Sequence, residues 1–150
     1  MQCQRLQNVI GMFATGFLVL GSCSLAAEVR KAEDKHAAHF DPCAKACADC
    51  MRACESCAHH CAEMLAAGKK EHAQTLGTCA DCADICAAAA KIVSRHGTMS
   101  VTVCESCAKA CDVCGAACEK FPDDKHMAMC AKECRDCAKA CREMLTHAAK

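Results

Sequence analysis

The chain has 150 residues, 20 of them Cys, no Trp or Tyr, and 18 basic residues against 18 acidic ones. That length suits one domain, and a formal charge of zero gives no electrostatic case for nucleic acid or an anionic membrane surface. From Ala27 onward there are 29 Ala but only 12 Leu, Ile, Val and Phe together, too few for an ordinary core at roughly 1.5–3 kcal/mol per buried side chain.

The chain opens with what reads as a targeting address. Met1–Asn8 is polar with one positive charge, Arg5, and Val9–Leu20 is an apolar run of twelve. This is the layout of a secretory signal peptide over residues 1–26, too short for a spanning helix. Ser24-Leu25-Ala26 offers small residues for cleavage before Ala27. The alternative is a lipobox, Val19-Leu20-Gly21-Ser22-Cys23, which would make Cys23 a lipid anchor and the one link to a membrane. No Arg-Arg pair precedes the apolar run, so the twin-arginine route has no support. The expected location is therefore outside the cytosol, in the periplasm. Residues 27–40 read as a linker or short helix, with a helical turn at His36–Phe40.

From residue 41 to 150 the Cys residues organise everything. They are Cys43, Cys47, Cys50, Cys54, Cys57 and Cys61; then Cys79, Cys82 and Cys86; then Cys104, Cys107, Cys111, Cys114 and Cys118; then Cys130, Cys134, Cys137 and Cys141. Within each group every step is three or four residues, in strict alternation. A period of 3.5 places each group on one helix face, where Leu or Ile ordinarily stands. Ala, Lys, Glu and Arg, all good helix formers, fill the other positions.

Four helices follow in order. Asp41-Pro42 reads as N-cap and first residue of the first, with Gly68 as its stop. The second spans about Lys69 to His96 and ends at Gly97, with Gly77 inside it as a place of close helix approach. The third begins near Thr98–Ser100 and ends at Lys120. Phe121-Pro122-Asp123-Asp124 opens the fourth, with acids in its first turn. Short connections make neighbours antiparallel, so the expected fold is all-α, an antiparallel up-down-up-down four-helix bundle with a Cys-lined core. Cys50–Leu65 and Cys130–Leu145 share their Cys spacing and the ending Cys-x-Glu-Met-Leu, as a duplicated hairpin would.

Four uses for eighteen inward thiols compete. Cys as small apolar filler would be outperformed by Leu. Disulfides suit an exported chain, yet such frameworks place Cys in irregular loops, and these loops contain none. Zinc or cadmium would take tetrahedral thiolate sites and leave net negative charge buried, while iron–sulfur motifs are absent. Cu(I) is soft, accepts two or three thiolates, and shares them between ions, so one ion per thiolate leaves the core neutral. Neighbouring Cys on one helix, with Cβ atoms about 5–6 Å apart, would bridge a single ion. The zinc or cadmium sink and the disulfide-stapled structural protein remain the alternatives.

Eighteen Cys in alternating steps along four helices resembles the bacterial copper storage proteins, over about Phe40 to Lys150. The resemblance implies a four-helix bundle that holds many Cu(I) ions reversibly, with those eighteen Cys as ligands, for storage or detoxification. Exported and cytosolic members are both implied. The second helix carries only three Cys, which makes its lining uneven.

Extending the stripes brings Met64, His72, Thr75, Phe121 and Met127 to one end, near Gly68, with His60, His126 and Met129 close in sequence. Met64, His72 and Met127 are the candidate ligands for incoming ions, since thioether and imidazole bind Cu(I) without adding charge. Phe40, Val93, His96, Ser100 and Met144 fall at the other end, and His39, His59 and His147 read as solvated. A continuum of ligands with no privileged set argues for a store rather than an enzyme. The expected partners are copper ions and a copper donor or acceptor protein.

Overall fold

The computed structural model describes the backbone from Ser22 to Ala148 and side chains from Ala38 to Ala148. The signal-like segment Met1–Gly21 therefore lies outside the described residues, and so does the Cys23 side chain. Among the described residues no helix is long and apolar enough to cross a membrane. The chain divides into two units, Met1–Glu33 and Asp34–Lys150. The second holds the Cys-rich helices.

Four α-helices are present among the described residues: α1 (Ser22–Ala66), α2 (Ala73–Ser94), α3 (Ser100–Cys118) and α4 (Lys125–Ala148). A short 3-10 turn, Lys70–His72, leads into α2. Sulfur contacts give their directions. Between α1 and α3 the pairs Cys43–Cys104, Cys47–Cys107, Cys50–Cys111, Cys54–Cys114 and Cys57–Cys118 climb together, so these two helices are parallel. Pairs Cys43–Cys141, Cys47–Cys137, Cys50–Cys134 and Cys54–Cys130 descend along α4, which is antiparallel to α1. Pairs Cys79–Cys118, Cys82–Cys111 and Cys86–Cys107 make α2 antiparallel to α3. The fold is the expected up-down-up-down bundle around a Cys-filled axis.

The first boundary differs from expectation. Asp41 does not cap a helix and Pro42 lies well inside α1, which begins at Ser22. A proline inside a helix loses one hydrogen bond and crowds the preceding turn. Upstream, however, Ser22–Phe40 is rich in Ala, Glu, Lys and Arg, with no Gly or Pro, and that composition sustains helix through the site. Residues 27–40 accordingly form helix, not a linker. The end of α1 is as expected: Gly68 adopts φ +88°, and Lys69 N–H reaches Met64 C=O at 2.9 Å, the bond pattern of a glycine-terminated helix.

Two further glycines exchange roles with expectation. At the end of α2 the left-handed residue is His96, φ 51°, not Gly97. Its ring packs on Phe40 with centroids 4.8 Å apart. Gly97 is instead needed for closeness, because a Cβ there would sit 3.1 Å from both Cγ2 and the carbonyl oxygen of Ile92. Gly77 mediates no close approach: it is exposed, off the Cys stripe, with nothing within 4 Å of an added Cβ. Gly115 has that role. The Arg135 guanidinium lies across it, within 3.1–3.3 Å of where a Cβ would be. Arg135 reaches both Glu119 carboxylate oxygens, at 2.9 and 2.7 Å, and so ties α4 to the end of α3.

The fourth helix starts at Lys125, and Asp124 caps it. Asp124 Oδ1 accepts the backbone N–H of His126 at 2.9 Å and of Met127 at 3.3 Å, while Oδ2 meets His60 Nε2 of α1 at 2.7 Å. Partial burial pushes the Asp124 carboxyl up, but the hydrogen bonds from His60, Met127 and His126 outweigh it and hold the group below its ordinary value. A depressed carboxyl stabilises the fold above its unfolded pKa, and that contribution is lost as pH falls through the folded value. Asp124→Ala is expected to lower unfolding stability by about 1 kcal/mol at neutral pH. In urea melts the gap to the unsubstituted protein should close under acid; an equal gap at every pH would contradict this account.

Candidate metal centre

Each helix carries its stripe inward for a geometric reason: residues three or four apart share a face, and the remaining faces carry Lys, Glu, Asp and Arg. All eighteen Cys from Cys43 to Cys141 are buried and unpaired by disulfides. On α2 the same three-and-four rhythm runs His72, Thr75, Cys79, Cys82, Cys86, Ala89, Val93, all buried. Helix α2 thus keeps the pattern but substitutes hydrocarbon for sulfur toward one end. Ala89 is a continuation that counting Cys alone passes over.

The sulfurs touch one another throughout. Each of the eighteen lies within 4.0 Å of another sulfur atom, counting the Met127 thioether beside Cys57 and Cys61. In hydrogen-bond geometry, contacts within one helix join Cys50 to Cys54 at 3.8 Å and Cys82 to Cys86 at 3.9 Å; the others run between helices. Sulfurs of one helix thus come within reach of a shared ion, as expected, and contacts between helices are added to them. Inward sulfurs from four helices converge on a shared axis, and the diagonal pair α1 and α3 meets across it.

Grouped by space, the thiols form four-sulfur sets whose members all lie within 4.8 Å of one another. One is Cys47, Cys107, Cys137 and Cys141; another is Cys50, Cys82, Cys86 and Cys111; a third is Cys54, Cys114, Cys130 and Cys134. A fourth, Cys57, Cys79, Cys118 and Cys130, shares Cys130 with the third. Sharing of this kind suits ions that accept bridging thiolates.

Protonation in the metal-free core is uneven. Hydrogen bonds, that from Cys114 first, push the Cys54 thiol up, and contacts led by Cys107 push Cys137 up. Cys50 and Cys107 move down, each chiefly through Cys111. Within each contact one sulfur keeps its proton and the other accepts. Burial pushes Cys61 up to about 12. Cys118 is pushed up by Cys114, but contacts with Cys130, Cys57 and Cys79 outweigh that and bring it down.

The Gly68 end gathers most of the candidates placed there. Met127 is fully buried, its Sδ 3.3 Å from Cys57 Sγ and 4.0 Å from Cys61 Sγ. His72 is buried and stacked on Phe121 at 4.2 Å, and its Nδ1 has no hydrogen-bond partner. Met64 is half-buried and, among the described residues, makes no thiol contact at that range. His60 stacks on His126 at 4.7 Å, and His126 Nε2 meets Ser56 Oγ at 3.1 Å. Asp124, the group that fixes His60, was not legible from spacing, being 64 residues away in sequence. Met129 points outward. At the far end Phe40, Val93, Ser100 and Met144 are buried together with Cys43 and Cys104. His39 and His147 are not merely solvated, since their rings stack at 3.5 Å.

A model of the copper storage protein family matches residues 35–146. The chain belongs to that family. Among solved structures it is similar to a cytosolic copper storage protein from Streptomyces lividans bearing five coppers, at 30% identity over 75% of this chain and 97% of that one, TM-score 0.69. It is similar to Cu(I)-bound copper storage protein BsCsp3 at 36% identity, covering 71% and 98% of the two chains, TM-score 0.67. The protein Nmul_A1745 from Nitrosospira multiformis matches at 32% identity over 73% and 96%, TM-score 0.63. No curated protein sequence matches the chain significantly. Family membership accounts for the buried thiol axis and the four helices that carry it.

Because buried thiols hold protons that an incoming cation must displace, loading the reduced protein with Cu(I) should release about one proton per ion until saturation. Titration in weakly buffered solution with a pH indicator checks this; uptake without acidification would contradict thiolate binding.

Proposed function

We propose that this chain binds and stores many Cu(I) ions, roughly one per core thiolate, for copper storage or detoxification. The observation that carries the reading is the unbroken sulfur network: eighteen buried thiols in mutual reach. Family membership and the copper-loaded relatives support it. The ligands are Cys43, Cys47, Cys50, Cys54, Cys57, Cys61, Cys79, Cys82, Cys86, Cys104, Cys107, Cys111, Cys114, Cys118, Cys130, Cys134, Cys137 and Cys141. Membership of a storage family supports storage rather than catalysis as the role.

Incoming ions enter at the Gly68 end. The buried thioether of Met127 beside Cys57 and the unpartnered imidazole nitrogen of His72 favour that end, and half-buried Met64 completes the proposed entry set. A copper donor or acceptor protein would exchange ions there. Export as a chain beginning at Ala27 fits the signal-like first 26 residues, and lipidation at Cys23 is the competing form; the mass of the mature N-terminus separates them. Fast loading after export would protect the thiols from oxidation.

Anaerobic titration with Cu(I) should saturate in the teens, toward one ion per core Cys, and raise the melting temperature by more than about 10 °C. Saturation at one or two ions, or an unchanged melting temperature, would remove the storage reading. Replacing Met64→Leu and Met127→Leu together, or His72→Ala alone, should slow uptake several-fold in stopped-flow mixing while leaving the thiol capacity intact. An unaltered rate would place the mouth elsewhere.

A further inference from the structure

The thiol network contains closed triangles as well as pairs. Cys50 and Cys54 of α1 meet Cys134 of α4 with edges of 3.8, 3.8 and 3.7 Å. Cys47, Cys107 and Cys137, one from each of α1, α3 and α4, close a second with edges of 3.9, 3.8 and 3.8 Å. Cys82 and Cys86 of α2 meet Cys111 of α3 at 3.9, 3.9 and 3.6 Å. The three share no residue, and every member is buried. Three sulfurs at mutual distances of this size are the donor set of a three-coordinate, pyramidal centre.

Charge decides which centre fits. Among the described residues no Lys, Arg, Asp or Glu lies in the buried core to balance an ion. A divalent cation on three or four thiolates leaves one or two negative charges there, which burial in a dry core disfavours. A soft cargo leaves none when its charge equals its number of thiolates: a monovalent ion for each, a divalent one for every two, or a trivalent one for every three, and of these only the last uses the three sulfurs of a triangle as one site. We infer that the three triangles are binding sites for trivalent arsenic, taken up as arsenous acid.

The chemistry balances without any further reactant. Each of three thiols forms an As–S bond while one As–OH bond breaks, and the thiol proton leaves with that hydroxide as water. One As(OH)3 and three Cys thiols give one As(S-Cys)3 and three waters. Arsenic stays trivalent and no electron moves. The incoming molecule and the product are both uncharged, so the core never carries a net charge during uptake. No proton is released, in contrast to loading with Cu(I).

The site uses thiols already assigned to copper, but the inference rests on the triangles and can fail while copper storage stands. The test mixes full-length, reduced, metal-free protein with sodium arsenite, removes free arsenic by desalting, and measures bound arsenic, remaining titratable thiols and pH. Three arsenic atoms per chain, three thiols lost per arsenic and no acidification are expected, one for each triangle. Cys134→Ser should reduce the arsenic bound from three to two. Protein that takes Cu(I) in the teens yet retains no arsenic would overturn the proposal alone. So would two thiols lost per arsenic, or a capacity untouched by Cys134→Ser. The stoichiometry of the unsubstituted protein decides the matter even if the variant fails to fold.

Discussion

Sulfur held out of water is the constraint on which this structure turns. A buried thiol is tolerable while it keeps its proton, and a buried thiolate is tolerable once a soft cation neutralises it; a bare thiolate is neither. Eighteen such groups in one core make the balance collective. Each sulfur's protonation depends on its neighbours, which is why adjacent thiols are pushed in opposite directions and why no single pair can be regarded as the site. The same balance explains a core so poor in Leu, Ile and Phe: the space that hydrocarbon would fill is reserved for cargo.

What hydrocarbon there is stands at the ends and between the stripes. Ala44, Ala83, Ala108, Ala131 and Ala138 pack beside the Cys rows, small enough to let the helices close on sulfur. Outside, the bundle is clamped by charge, with Arg135 spanning Asp112 and Glu119, and Arg142 joining Asp112 from two turns further along α4. Such exposed pairs add little stability individually. Their value here is geometric, since Arg135 lies over Gly115, where α3 presents no side chain.

Fold class and inward-facing residues were legible because a period of 3.5, repeated in four groups, is a property of the chain alone. Boundaries were less so. Proline rules pointed to a helix starting at Pro42, while the Ala- and Glu-rich stretch before it outweighed them; Gly97 marked the end of the second helix, but nothing in the chain marked His96 as its left-handed residue. The partners of each sulfur were not legible at all. Whether Cys50 meets Cys54, Cys111 or Cys134 depends on relative register and on the diagonal closeness of α1 and α3, neither of which leaves a trace in spacing. For the same reason the bond from His60 to Asp124 had no signal beyond two polar residues near two different helix ends.

The unequal lining of α2 has a consequence for order. Ala89 and Val93, with Phe40 and Met144, cork the bundle beyond Cys43, Cys104 and Cys141, while His60, His72, His126 and the Met127 thioether sit at the opposite extremity. A cavity corked on one side behaves as a stack. With entry at the Gly68 end, as proposed, the deepest occupants would arrive by hopping past sulfurs nearer the opening and leave last, so the most recent deposits would return first and a reserve would turn over slowly.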